Sequence, residues 1–134
     1  MKYLLDVNAL LALGFLEHSL HERVAKWVRT RSASRTLELV TCSIVELGFV
    51  RVLAQAPQYG FTVKDAKTLL LRLKESDNPR IGFLADDHGV GQLPAWAVTA
   101  SRTTDGHLAE LARGHGLALA TLDERIPGAF LIPS

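Results

Sequence analysis

An α/β fold, with a central, mostly parallel sheet flanked by helices on both sides, follows from three features of the chain. Short apolar runs alternate with helix-period segments from one end to the other. The connections between them are short, which suits parallel strands joined through helices. Four acidic residues, Asp6, Glu46, Asp105 and Asp123, stand in or beside apolar stretches where strands end or helices begin. An unpaired carboxylate is costly to bury. Four of them, spread along the whole chain, point to one shared reason for keeping them, and a bound divalent cation is the simplest.

Lys2–Leu5 reads as a buried strand that ends at Asp6, and a helical pattern covers Ala9–Leu16. Glu22–Arg31 is a second helix, with Val24, Trp27 and Val28 on one face and Arg23, Lys26 and Arg29 mostly on the other. Leu37–Thr41 is the next strand. Ser43 opens a helix to Gln55, which Pro57 stops. Thr62 is the expected cap of another, with Val63, Ala66, Leu69, Leu70 and Leu73 inward and Lys64, Lys67, Arg72 and Lys74 mainly outward. Ile81–Leu84 is a candidate strand, Gly89–Pro94 a loop, and the segment after it fits no single pattern. Thr104 is expected to cap a helix ending near Gly114–Gly116, followed by strands at Leu117–Thr121 and Phe130–Ile132.

Composition mainly excludes. The 134 residues fit one domain, residues 1–134, and a chain 48% hydrophobic and 22% charged is not a disordered one. A formal charge of +1 leaves any nucleic-acid contact to a local patch. The candidates are Arg23, Lys26, Arg29, Arg31 and Arg35, and the lysine- and arginine-bearing face of 64–74, although such faces are usually just solvated. There are few aromatic residues from which to build a base-stacking RNA module. The single cysteine, Cys42, rules out an internal disulfide, fits a reducing cytosol and reads as a small buried residue. Asp6 and Asn8 interrupt the N-terminal apolar run, no small-residue cleavage pattern follows it, and no stretch reaches ~18 apolar residues. A cytoplasmic protein without a membrane association is expected.

Most of the acids also have a local explanation. Glu46 follows Ser43 in a capping-box pattern. Asp105 would sit behind a Thr104 cap, where the helix dipole favours an acid. Asp123 suits the opening of the turn LDERIP. Asp6 has no comparable alternative, since it ends an apolar strand and more apolar helix follows. In open α/β sheets, sites form outside the carboxyl ends of the strands. Asp6 and Asp123 are predicted at such ends, with Glu46 and Asp105 at helix starts that can share that edge. The histidines His18, His21, His88, His107 and His115 lack the spacing of a zinc motif and read mostly as exposed or structural. Asp86 and Asp87 read equally well as the site's edge or as a polar turn.

The ordered segments LLDVNALLAL, SIVELGFVRVL and TDGHLAELARGHGLALATLD together resemble the PIN-domain ribonucleases, most closely the VapC-type toxins of bacterial toxin–antitoxin pairs, from Lys2 to about Ile132. The resemblance implies a catalytic cluster of Asp6, Glu46, Asp105 and Asp123, with Asn8, Ser43 and Thr121 in support. An all-oxygen donor set suits Mg²⁺ or Mn²⁺ rather than Zn²⁺. Such an ion acidifies a water for in-line attack on phosphorus and neutralises charge on the phosphate. Asp6, Asp105 and Asp123 are assigned as ligands; Glu46 is either a ligand through water or the base that orients the nucleophile. By the same resemblance the substrate is a structured RNA such as tRNA or rRNA, cut in a single-stranded loop to leave 5′-phosphate and 3′-hydroxyl ends. It also implies a homodimer and a small cognate antitoxin that aims a basic side chain at the acids. Leu13, Phe15, Leu16, Trp27 and Val28 are more apolar surface than a small domain is expected to bury alone, which supports the dimer.

Two positions depart from the family pattern: Ile126, where relatives often carry an aromatic residue, and Gly106, where they favour a better helix former. Two other classes compete. A non-catalytic PIN-like module binding RNA or a partner is opposed by the four intact acids. A phosphatase using Asp6 as nucleophile is opposed by Asn8, which stands where a second aspartate belongs.

Overall fold

The structure, a computed structural model, describes residues 1–33, 37–77 and 79–134. Arg35 lies outside them. Among the described residues, five strands form one parallel sheet: β1 (Lys2–Leu5), β2 (Glu38–Thr41), β3 (Ile81–Phe83), β4 (Ala118–Thr121) and β5 (Phe130–Leu131), in the order β3-β2-β1-β4-β5. The helices are α1 (Val7–Gly14), α2 (His21–Ser32), α3 (Ser43–Gln55), α4 (Val63–Glu75) and α5 (Thr103–Gly114), with single 3₁₀ turns at Pro57–Tyr59, Val90–Gln92 and Ala100–Arg102. Among the described residues no helix is long and apolar enough to cross a membrane.

The unbroken apolar run of β1 explains its place at the centre. Tyr3, Leu4 and Leu5 are all buried, although consecutive strand residues point to opposite faces, so both faces must be covered. Leu4 pairs with Val40 of β2 on one side and Leu119 of β4 on the other. From β1 the chain winds outward through β2 to β3, then returns to β4 on the other flank of β1. That reversal sets a topological switch point between β1 and β4, with a crevice outside their carboxyl ends. Because parallel crossovers are right-handed, it also puts α5 on the opposite face from the earlier helices. Accordingly α1 packs against α2, α3 and α4, whereas α5 lies on β4 and β1.

The helix starting after β1 begins earlier than the apolar pattern indicates. Asp6 is its N-cap, and its last residue is Gly14, two before Leu16, with Phe15 in extended backbone as the C-cap. Four of the five apolar residues expected to be left over are buried within the chain, namely Leu13, Phe15, Trp27 and Val28; only Leu16 is exposed. The aromatic ones find partners in the fold. Trp27 meets Tyr3 edge-on at 5.1 Å and Phe130 at 5.5 Å, and Phe15 meets Tyr59 at 5.1 Å. Those residues therefore give no argument for a dimer. In α4, Thr62 caps as expected, its hydroxyl accepting from the Asp65 N–H at 3.0 Å. Ala66 and Leu70 are buried, but Val63 is 62% exposed and borders a groove beside Leu47 and Val50 of α3. Thr104 does not cap α5. The 3₁₀ turn runs directly into the helix, and it is the Thr103 hydroxyl that donates back to the Ala100 carbonyl.

Close contact between α1 and α3 rests on Gly48. A Cβ at this position would lie 2.6 Å from Cγ2 of Val7, a stiff β-branched side chain. Helix propensity alone favours Gly48→Ala by about 1 kcal/mol, while overpacking costs about 1–3 kcal/mol. The clash is expected to win, so Gly48→Ala should lower the urea midpoint, and Gly48→Ala combined with Val7→Ala should recover more than the two separate changes predict. A stabilised Gly48→Ala single variant would contradict this packing.

Candidate active site

Asp6 is held where β1 turns into α1. Its Oδ1 accepts from the Ala9 N–H at 2.8 Å and its Oδ2 from the Thr121 hydroxyl at 2.5 Å. The Thr121 oxygen in turn accepts from the Asp123 N–H at 3.0 Å, so one side chain at the end of β4 positions two acids. Asp105 enters from the first turn of α5, half-buried. These three are the sequence-predicted acids that the fold gathers at the switch point. Asn8 is exposed on α1 and lines, with Asp123 and Arg125, a cleft of about 540 Å³.

Electrostatics mark the same three residues. Burial pushes the Asp6 carboxyl up to about 6; the Thr121 and Ala9 hydrogen bonds oppose this, and the charges of Asp105 and Asp123 add to it. Asp105 is raised as well, first by burial and then by Asp123, with Arg102 and Arg125 opposing. Asp123 is lowered, because Arg125 donates to its carboxylate from the backbone N–H at 2.9 Å and from Nε and Nη2 at 3.0 Å each. Arg102 braces the turn by donating to the Arg125 carbonyl at 2.6 Å while lying over the Trp96 ring.

Glu46, in the first turn of α3, has a different partner. It accepts from Lys74 Nζ of α4 at 2.5 Å, and Lys74 lies over the Phe83 ring. The capping box with Ser43 does not form: Cys42 is the N-cap, and no side-chain bond closes the helix start. Lys74, expected mainly outward, is drawn in by the carboxylate. Ser43 is exposed and borders the α3–α4 groove beside Glu46. In the basic stretch of α2, Arg23 is tied to the Ile132 carbonyl at 3.0 Å and Arg29 to Glu22 at 3.3 Å.

Arg102, Arg125 and Lys74 were not marked as partners of the acids by the sequence. For Arg125 a signal was present, since D-x-R in a turn lets the guanidinium fold back on the carboxylate. Two of the histidines are mostly buried: the side chains of His88 and His107 are 12% and 15% exposed, in a cluster with Asp86, Asp87 and the more exposed His115.

The family model for the PIN domain matches residues 3–129. The chain belongs to the PIN-domain family. Its relatives are of the VapC type. It is 37% identical to Ribonuclease VapC38 of Mycobacterium tuberculosis over 90% of this chain and 84% of that one, and 33% identical to Ribonuclease VapC44 of the same species over 96% and 94%. A crystal structure of VapBC2 from Rickettsia felis, bound to a promoter DNA fragment, superimposes with a TM-score of 0.65 at 14% identity, covering 98% of this chain and 97% of that one. Within this PIN domain the departure at Gly106 has a steric reason. A Cβ there would lie 2.7 Å from that of Ala97 and 3.2 Å from the Pro94 ring, so glycine lets the 94–97 segment close over the helix start beside Asp105. Ile126 is buried.

The raised Asp6 carboxyl has a consequence for stability. The folded state holds this proton more tightly than the unfolded chain, whose value is near 3.8. The group's contribution is therefore complete at low pH and is lost as pH rises through about 6. In chelator, Asp6→Asn should stabilise the fold at pH 7 by on the order of 2 kcal/mol, with the advantage fading toward pH 4. Urea unfolding across that range measures it, and a pH-independent difference would refute the assignment.

Proposed function

We propose that this PIN domain is a metal-dependent endoribonuclease, the toxin of a toxin–antitoxin pair, hydrolysing RNA phosphodiester bonds. The observation that carries this reading is the meeting of Asp6, Asp105 and Asp123 at the switch point between β1 and β4, in a chain whose curated relatives are named ribonucleases.

Three carboxylates with no nitrogen or sulfur donor among them suit a hard divalent ion, Mg²⁺ or Mn²⁺. Asp6, Asp105 and Asp123 would hold it. Once bound, such an ion supplies a Lewis acid for the phosphate and lowers the pKa of a coordinated water. The chain's own residues do the rest. Thr121 and the Ala9 N–H fix the Asp6 carboxylate in one orientation, so little reorganisation is needed. Arg125 must release Asp123 before that carboxylate serves as a ligand, and the freed guanidinium then faces the cleft, where a phosphate would sit. Glu46 acts as the orienting base or as a ligand through water, which requires it to leave Lys74. Asn8 and Ser43 offer hydrogen bonds at the margin. Water, not the 2′-hydroxyl, is the nucleophile, so the ends left are 5′-phosphate and 3′-hydroxyl. The substrate class is a structured cytoplasmic RNA such as tRNA or rRNA.

The partners in this reading are a small antitoxin and a second copy of the chain. A lysine or arginine from the antitoxin would complement the acids as Arg125 does within the chain. The dimer finds support on a different surface from the one expected: Leu47, Val63, Leu71 and Phe83 are 64%, 62%, 47% and 52% exposed around the α3–α4 groove.

Purified protein should cleave RNA with Mg²⁺ or Mn²⁺, lose the activity in excess chelator and regain it when the ion returns. Asp6→Asn and Asp105→Asn should each reduce cleavage by ~100-fold or more with the circular-dichroism spectrum unchanged. Undiminished cleavage in chelator would remove the metal from the mechanism. In cells, expression of the chain alone should arrest growth and a neighbouring small gene should relieve it; normal growth with abundant soluble protein would favour a binding module instead. Sedimentation at micromolar concentration should give a dimer that Leu47→Lys dissociates, and a monomeric wild-type chain would count against the pairing.

A further inference from the structure

We propose that Asp87, His88 and His115 form a second metal site, selective for a zinc-class ion, that clips the loop after β3 to the carboxyl end of α5. Asp87 Oδ1 lies 2.8 Å from His88 Nδ1 and 2.8 Å from His115 Nε2, and the three ligand atoms all fall within 4.8 Å of one another. Neighbouring ligands around tetrahedral Zn²⁺, at bonds of about 2.0–2.1 Å, sit roughly 3.4 Å apart. The cluster therefore has only to open slightly. Without an ion a single carboxylate oxygen receives both imidazoles, and an ion replaces those shared protons.

The site is built rather than accidental. The His88 ring lies against Gly114, where a Cβ would come within 2.8 Å of Nε2, so the glycine makes room for the imidazole. Asp86 fixes the loop from beneath: Oδ1 accepts from the His88 N–H at 3.0 Å and Oδ2 pairs with His107 Nε2 at 2.5 Å. His115 caps α5, where the exposed carbonyl end of the helix favours positive charge. The nearby cation Arg113 is already matched by Glu110. Asp87 is exposed, which leaves an entry path and a fourth position for water. Two imidazoles and one carboxylate favour Zn²⁺ over Mg²⁺, the reverse of the aspartate cleft. The ligands come from segments 28 residues apart, so the ion cross-links elements that the backbone joins only at a distance.

Untagged, metal-stripped protein titrated with Zn²⁺ in excess Mg²⁺ should bind one ion in calorimetry with a rise in Tm, and Co²⁺ should give tetrahedral visible absorption bands. His115→Ala and Asp87→Asn should each weaken the binding at least 10-fold, while Asp6→Asn leaves it unchanged. Absence of binding, or binding untouched by both site variants, would overturn the proposal, as would loss in Asp6→Asn. Should a site variant fail to fold, the imidazole nitrogens of wild-type His88 and His115 must shift in NMR spectra on adding Zn²⁺, and unmoved resonances would also refute it. None of these readouts involves RNA cleavage, so the result stands apart from the nuclease reading.

Discussion

The Asp6 carboxyl, just past the central strand, is nearly buried, yet it has to serve two partners at once: it caps α1 through the Ala9 N–H and accepts from Thr121 at the end of β4. A polar group in that position is tolerated only with its hydrogen bonds made. Those bonds pin the relative height of β1 and β4 and the direction in which α1 departs. The register that pairs Leu5 with Ala120 also brings Thr121 level with the carboxyl, and the Asp6 N–H donates to the Ala120 carbonyl. Everything at the cleft inherits its position from this junction. Thr121 passes it to Asp123, and the packing of α5 on β1 and β4 brings Asp105 in.

Around that junction the chain supplies its own counter-charges. Arg125 grips Asp123, Arg102 braces the Arg125 turn, and Lys74 holds Glu46 across two helices. Glu46 borders the α3–α4 groove, while Asp6 and Asp105 are raised by burial and by their aspartate neighbours and Asp123 is lowered by Arg125. The two halves of the predicted acidic set thus sit in different electrical surroundings although both lie near helix starts.

The elements that follow from local chemistry were legible in the sequence. β1 shows as an unbroken apolar run and α4 as a threonine cap before a helical pattern, and Asp6 stands out as the acid that follows β1, although its N-cap bond with Ala9 is a local role the sequence reading missed. What depended on distant partners was not. Nothing in residues 9–16 shows that Asp6 starts the helix early, since the capping signal lies in Asp6 itself, outside that stretch. Trp27 looks surplus until Tyr3 and Phe130 meet it, and Glu46 looks like a capping box until Lys74 arrives from α4. The His88–Asp87–His115 grouping is invisible as spacing, because the crossover from β3 to α5 assembles it in space. Gly106 reads as a weak helix residue, and only the approach of Ala97 and Pro94 explains it.

The Arg125–Asp123 pair changes what filling the aspartate cleft means. In the proposed reading, with the guanidinium already seated on the Asp123 carboxylate through Nε and Nη2, a divalent ion would have to displace Arg125 and not simply add. The free energy of occupancy is the difference between two cations in one place. Because Arg125 is largely exposed, its side of that balance weakens as salt screens the pair. In that reading Arg125 offsets part of the cleft's negative charge, and its release from Asp123 would make the same side chain available to an anion.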